Sequence, residues 1–278
     1  MPELPEIHAH AERLDAAFTG ATLERFTPLA FTVLKTAAPP PDDAYGHQLV
    51  FVGSRGKHLM LDFGVITFVV HLMQGGRLKP DESQAAKPRF GQARWQFADG
   101  RALLLTEPGH ERKAGVWVVA GDPEAQPPLH GLGPDVTELD ASSLAAIATR
   151  HPMRLHGFLR DQHIIAGLGR RLANEICYRA RLSPFASTAK LDRDDLDALA
   201  EAMHVCLNEG LAHERGLDEM SSSADRPGHV HHQVGQPCTV CGDEIRSVEY
   251  VRYTVAYCPT CQTNGKILAD NTTSKFLK

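Results

Sequence analysis

Four of the six cysteines in this 278-residue chain, Cys238, Cys241, Cys258 and Cys261, form a C-x2-C-x16-C-x2-C arrangement near the C-terminus. Each C-x2-C turn can present two thiolates to one tetrahedral ion, and the β-rich stretch IRSVEYVRYTVAY between the pairs suits a hairpin that brings them together. Four thiolates leave no open coordination position, so the expected ion, one Zn2+, is structural rather than catalytic. Cys177 and Cys206 lie within helical patterns and read as core residues. The second stretch that raises a chemical question is MPELPE at the start of the chain. Proline is tolerated in the first turn of a helix, where its missing N–H is no loss, and Glu6 there would suit the helix dipole. On these residues alone, a structural and a chemical reason for Pro2 and Glu3 both stand. His229, His231 and His232 in HVHH have no evident metal spacing and read as part of a flexible polar segment.

The elements that must hold these groups follow from periodicity. Ile7, Ala11, Leu14 and Phe18 recur at helical spacing over residues 5–18, with Gly20 beyond as a stop. Then come short β-branched or aromatic runs, QLVFVGS, KHLMLDF, VITFVVHL, ARWQFA, ALLLT and GVWVVA, separated by turn signals such as GSRG, FADG and EPGH. Strands at this spacing indicate a sandwich or barrel. GDPEAQPPLHGLGPD reads as a connector, and the residues from 142 to about 216 are helical in pattern. MSSSADRPGHVHHQVGQP is polar and unpatterned, which predicts a mobile loop. The expected fold is α+β: an N-terminal helix and β-sandwich (1–121), a linker (122–141), a helical domain (142–234), and a zinc ribbon with a tail (235–278).

Composition is that of an ordinary globular protein, with 42% hydrophobic and 23% charged residues. No secretory segment or membrane-length apolar run occurs, so a cytoplasmic protein is expected. The net charge of −5 argues against a nucleic-acid partner at face value. However, Arg154, Arg160, Arg170, Arg171, Arg179, Arg181 and Lys190 face only Asp161 and Glu175 between residues 154 and 190, and the footprint of DNA binding is local.

Four features occur in one order: PELPE at the N-terminus, a lysine in SRGKHLML, the stretch LRDQHIIAGLGRRLANEICYRARLSP, and a terminal four-cysteine ribbon ending YCPTCQ. Together they resemble the formamidopyrimidine-DNA glycosylase/endonuclease VIII family of base-excision repair enzymes, over essentially the whole chain. D-Q-x-x-x-A-G-x-G followed by a helix is similar to the family's helix–two-turn–helix element. The resemblance implies a bifunctional DNA glycosylase/AP lyase. Removal of Met1 exposes Pro2 as a secondary amine that forms a Schiff base with the sugar. Glu3 transfers protons, Glu6 supports the site, and Lys57 contacts the phosphate beside the lesion.

The same resemblance assigns DNA contacts to Gly167 and Gly169, whose backbone can approach a phosphate, and to Arg170, which stands where the family usually has asparagine. It also assigns Arg252, in an R-x5-C spacing one residue longer than usual. Met73 or Gln74 in HLMQGG occupies the place of the wedge that fills the gap left by a flipped base. The loop EPGHERKAG lacks the arginine–phenylalanine pair of the 8-oxoguanine enzymes. Oxidised pyrimidines and further-oxidised purines are therefore the expected substrates, with weak discrimination of the opposite base. The expected partner is double-stranded DNA containing oxidised bases or abasic sites, clamped by a monomer.

Overall fold

The computed structural model describes residues 1–109, 112–222, 225–250 and 253–268. They form two compact units, Met1–Gly131 with Glu214–Met220, and the described residues of Leu132–His213 and Ser221–Lys278. Among the described residues, no helix is long and apolar enough to cross a membrane.

The first unit opens with α1 (Leu4–Phe18) and continues through eight strands: β1 (Leu23–Pro28), β2 (Phe51–Arg55), β3 (His58–Asp62), β4 (Thr67–His71), β5 (Arg77–Pro80), β6 (Gly91–Phe97), β7 (Ala102–Thr106) and β8 (Gly115–Val119). They make two four-stranded antiparallel sheets, ordered β1-β6-β7-β5 and β2-β3-β4-β8. The six strands expected from the β-rich runs are all present. The other two, β1 and β5, are edge strands whose sequences LERFTP and RLKP bury few side chains, so alternation hardly shows in them. Between the sheets, Phe26 packs on Phe68 and edge-on to Trp95, and Phe63 meets Phe68 edge-on. Each such ring, fully buried, stabilises the fold by roughly 1.5–3 kcal/mol.

The helix α1 closes one side of this sandwich, where β2 and β5 are the edges. Its buried stripe of Ile7, Ala11, Leu14 and Phe18 joins the core. Its polar residues meet edge groups that would otherwise lack ladder partners. Asp15 Oδ1 accepts the Val52 N–H of β2 at 2.7 Å, and His10 Nε2 lies 2.6 Å from the Leu78 carbonyl of β5. A carbonyl only accepts, so Nε2 carries the proton. On the outer side Arg13 donates to the carbonyls of Glu214 and Leu217, and Arg215 grips the Glu12 carboxylate at 2.6 Å.

The second unit contains α2 (Ala141–Arg150), α3 (Leu155–Arg160), α4 (Arg170–Arg179), most of α5 (Arg193–Arg215), the hairpin β9 (Arg246–Tyr250) and β10 (Tyr253–Tyr257), and α6 (Pro259–Thr263). α2 starts with a capping box between Asp140 and Ser143. α3, at six residues, is too short to show a helical period.

The segment expected to be a mobile loop is instead fastened to α4. Glu175 on α4 accepts three successive backbone N–H groups, from His229 at 2.9 Å, Val230 at 3.0 Å and His231 at 2.8 Å. Arg171, one turn earlier, donates to the carbonyls of Arg226 and Pro227. Gly228 sits so close that a Cβ there would lie 2.9 Å from a Glu175 carboxylate oxygen. The chain is polar because its backbone is the ligand of two buried charges. Polar composition alone does not distinguish that from mobility.

Two outcomes follow. Burial pushes His10 down to about 4 from an ordinary 6.5. The unfolded chain binds a proton there that the folded chain resists, so this contribution is complete above pH 6.5 and is lost as the pH falls towards 4. Replacing His10 by Gln should flatten denaturant-measured stability against pH in that window by up to about 1.4 kcal/mol per unit. Glu175→Ala should cost about 3 kcal/mol and accelerate amide exchange at residues 229–231, since one buried and two part-buried donors lose their acceptor.

Candidate active site and metal centre

The start of α1 is built by a reciprocal capping box. The Glu3 carboxylate accepts from the Glu6 N–H while Glu6 Oε2 accepts from the Glu3 N–H at 2.8 Å. Pro2 is buried, as are Glu3 at 4% and Glu6 at 0% exposure, so this cap lies inside the protein rather than in solvent. A first-turn charge placed only for the helix dipole would be exposed. Glu6 is instead the group that fixes the backbone of Glu3.

Strand register places further residues at this end of the first unit. His8 Nδ1 lies 3.1 Å from Ser54 Oγ, and Asp15 meets Val52, so α1 runs antiparallel to β2 and begins near the β2–β3 turn. Arg55 pairs with His58, which leaves Gly56 and Lys57 as a two-residue hairpin turn. Gly56 supplies the positive φ of 57° that such a turn requires. Lys57 is 9% exposed, held at the turn rather than extended into solvent. Its neighbours His58 and His71 pair across β3 and β4, with rings edge to face at 4.7 Å. Burial, followed by the charges of His71 and Lys57, pushes His58 down to about 3. Burial and Lys57 push His71 down to about 4. Both rings are neutral near pH 7, so they add no positive charge beside Lys57 and Arg55, the latter paired with Glu124 at 3.1 Å.

The two wedge candidates have different surroundings. Met73 is half-buried with φ 55°, and its N–H donates to His71 Nδ1 at 3.0 Å. The turn is closed by the Gly76 N–H on the Leu72 carbonyl at 2.9 Å, where a Cβ on Gly76 would collide with that oxygen. Gln74, between them, is the exposed residue of the turn.

In the second unit, Gln162 stitches the turn that precedes α4. Its amide donates to the carbonyls of Arg160 and Leu168 at 2.8 and 2.7 Å and accepts the Gly167 N–H at 3.1 Å. Gly167, at φ 100°, therefore shapes the turn, and its own N–H is already engaged. Gly169 is the N-cap of α4 and Arg170 its first residue. Behind them, Asn174 is fully buried and donates to His231 Nδ1 at 2.9 Å. The basic cluster read from the sequence divides between internal and surface roles. Arg171 is buried under the 226–231 segment, and Arg179 grips Glu209 at 2.7 Å. Arg160 lies 4.0 Å over the Tyr253 ring, which stacks on Tyr250 at 4.5 Å and on His156 at 6.1 Å. Arg252 lies outside the described residues.

The four sulfurs of Cys238, Cys241, Cys258 and Cys261 all lie within 4.8 Å of one another. Cys238 and Cys261 are 3.8 Å apart and Cys241 and Cys258 3.4 Å. Ligands about 2.3 Å from a tetrahedral zinc stand about 3.8 Å from each other, so these thiols fit one ion without rearrangement. Tyr178 of α4 packs in the ribbon's apolar cluster with Val230, Ile245 and Ala256.

Sequence reasoning missed the roles of Glu175 and Asn174, and marked Gln162 only as a letter of the D-Q-x-x-x-A-G-x-G motif. All three act on backbone or on neighbouring side chains, and no spacing rule marks such partners.

Residues 1–117 match the formamidopyrimidine-DNA glycosylase N-terminal domain, and residues 131–222 match its H2TH domain. The chain is 30% identical over 273 residues to the formamidopyrimidine-DNA glycosylase of Thiobacillus denitrificans, covering 94% of this chain and 100% of that one. An uncharacterised formamidopyrimidine-DNA glycosylase-like protein of Mycobacterium tuberculosis is 38% identical over 162 residues, 58% of this chain and 100% of its own. The fold is similar to that of Lactococcus lactis formamidopyrimidine-DNA glycosylase bound to DNA containing an AP site. The TM-score is 0.80 at 18% identity, over 94% of this chain and 99% of that one. With both domains matched and a relative aligned along its full length, the chain belongs to the formamidopyrimidine-DNA glycosylase/endonuclease VIII family.

Proposed function

We propose that this chain is a bifunctional DNA glycosylase/AP lyase of base-excision repair, acting as a monomer on double-stranded DNA that carries oxidised bases or abasic sites. The observation that carries the reading is the buried Pro2-Glu3 start of α1, with Glu6 holding the Glu3 backbone. Removal of Met1 frees the Pro2 amine. An α-amino group titrates near about 8, so roughly a tenth of it is the neutral nucleophile at pH 7, and desolvation at a buried site would enlarge that fraction. Attack on C1′ forms the N–C1′ bond and breaks the glycosidic bond, and the base leaves with a proton. Opening of the sugar ring then gives an iminium. Glu3 is the proton donor to the ring oxygen. The iminium withdraws electrons, so loss of the C2′ proton expels the 3′ phosphate and breaks the strand. Lys57 holds the phosphate beside the lesion, and Gln74 or Met73 occupies the gap left by the everted nucleotide.

Gly169 and Arg170 at the start of α4, with Arg252, supply phosphate contacts on the second unit. Gly167 serves them through the shape of its turn. Cys238, Cys241, Cys258 and Cys261 hold one Zn2+, which fixes the hairpin that carries Arg252 and takes no part in the chemistry. Related proteins support a range of lesions: Lactococcus lactis structures contain a Fapy-dG derivative in one complex and an oxidised pyrimidine in another. Oxidised pyrimidines and further-oxidised purines are the proposed substrates here.

Borohydride trapping on an abasic duplex should give a covalent adduct that peptide mapping places on the Pro2 amine, and none when that amine is blocked by acetylation, alongside an intact mass showing Met1 removed. Binding without any adduct would identify a damage-binding protein and reject the enzyme. On a lesion panel, a strong preference for 8-oxoguanine opposite cytosine would reject the proposed substrates alone. Metal analysis should find one zinc per chain in the wild type, and Cys258→Ser should lose it together with most of the DNA affinity.

A further inference from the structure

The four ribbon cysteines are unequal in their surroundings. Cys241 is exposed and Cys261 half-buried, whereas Cys238 and Cys258 are buried. Four thiolates around one Zn2+ leave the sulfurs with net negative charge. An exposed sulfur draws hydrogen bonds from water, but a buried one needs donors from the protein. For Cys258 a donor comes from its own turn, the Cys261 N–H at 3.5 Å. For Cys238 it comes from sixty residues earlier in the chain: the Tyr178 hydroxyl on α4 lies 3.1 Å from the Cys238 sulfur.

A thiolate that holds a metal has no proton, so the hydroxyl is the donor and the bond is charge-assisted. Neighbours fix the ring that carries it. Tyr178 is buried among Val230, Ile245 and Ala256, and it stacks on His229 with centroids 5.7 Å apart and planes 22° from parallel. Thr239, inside the Cys238–Cys241 turn, lies 3.5 Å from the same hydroxyl and 3.4 Å from His229 Nδ1. The segment that supplies His229 and Val230 is itself fastened to Glu175, one turn before Tyr178 on the same helix. A phenylalanine would fill the apolar cluster equally well, so packing accounts for the ring but not for its oxygen. A buried phenol needs a polar partner, and the partners here are the Cys238 sulfur and Thr239.

We propose that Tyr178 is a positioning residue of the zinc centre: its O–H donates to the Cys238 thiolate, and through that bond α4 holds the metal in the ribbon and the ribbon on α4. This rests on the reading that the four cysteines hold one Zn2+. The bond draws negative charge away from the sulfur. A thiolate stabilised in that way is harder to protonate, and protonation competes with the metal for a cysteine ligand. Coupling of this kind is reciprocal, so what the docked helix adds to zinc retention the bound zinc adds to docking. The helix concerned begins at Gly169 and Arg170, so one bond links the two parts of this unit proposed to meet phosphates. Gln262 makes a second tie, accepting the Cys258 N–H at 2.8 Å and donating to the Leu182 carbonyl at 2.9 Å. That tie touches backbone only, and it keeps the ribbon attached when the hydroxyl is removed.

The test compares the zinc-loaded full chain with Tyr178→Phe and Val230→Ala. The first variant keeps the ring and removes the donor. The second loosens the same apolar cluster and leaves the bond to sulfur. Tyr178→Phe should still purify with one zinc per chain and melt close to the wild-type temperature. It should nevertheless hand zinc to a competing colorimetric chelator roughly tenfold faster. With cobalt in place of zinc, its thiolate-to-metal charge-transfer band should move to longer wavelength, because the sulfur electrons are held less tightly without the bond. Val230→Ala should lower the melting temperature and leave that band in place. A wild-type transfer rate in Tyr178→Phe would overturn the proposal. So would an unshifted band, or equal acceleration in Val230→Ala, since packing alone would then account for the effect. A wild type that purifies without metal and shows no such band with cobalt would instead reject the four-cysteine centre on which the proposal rests.

Discussion

The reciprocal bond between Glu3 and Glu6 is the constraint from which the rest of the first unit follows. It sets where α1 begins, and α1 in turn closes the open side of the sandwich by satisfying the edges of β2 and β5 through Asp15 and His10. Two sheets with unsatisfied edges would be prone to slip or pair with other chains. A helix that closes both edges also fixes, as a consequence, the position of the residues just before it. Pro2 is therefore held at one end of a rigid element rather than on a loose terminus. Placement of that kind suits a nucleophile whose value lies in its geometry.

The second unit uses a buried charge in the same way. Glu175 and Arg171 each bind backbone of the 226–231 segment, and that segment packs Val230 into the apolar cluster of the cysteine ribbon. One turn of α4 thus positions a loop, the loop covers the ribbon, and Tyr178 on the next turn reaches the same cluster. In both units, ions that look like surface residues in the sequence act as internal scaffolding. Their strength comes from charge-assisted bonds in a dry setting, where an unpaired donor would be costly.

What was legible in the sequence divides along the same line. Local patterns could be read: the helical stripe of α1, six strands as short β-branched or aromatic runs, and the cysteine spacing. The strands β1 and β5 were not legible, since an edge strand with one half-exposed face carries little alternation. α3 was too short for a period, and the 220–237 segment appeared unstructured because its partners lie some fifty residues earlier in the chain. At the site, the residue types alone left the reason for Pro2 and Glu3 open, and the family resemblance singled them out together with Lys57. The distinction between Met73 and Gln74 needed the backbone, because a positive φ and one bond to His71 decide which side chain is presented.

The net charge of −5 was the most misleading global number, and burial explains why. Among the described residues, Glu3, Glu6, Asp81, Glu107, Asp135, Glu175 and Glu214 are buried, against Lys57, Arg94, Arg171 and Arg226 among the lysines and arginines. Acids are withdrawn preferentially into caps, cradles and ion pairs, so the surface is less acidic than the formal sum. A DNA strand responds to the field within about a Debye length of the surface, on the order of 8–10 Å, rather than to the total. Exposed Arg89, Arg112 and Lys113 on two loops of the first unit, and Arg170 at the start of α4, are local concentrations of positive charge on a chain that is acidic on average. On the same segments, the Glu107 and Glu175 carboxylates are turned inward onto backbone N–H groups. Burying an acid as a backbone ligand does two things at once: it shapes the loop and keeps that carboxylate away from the surface the loop presents.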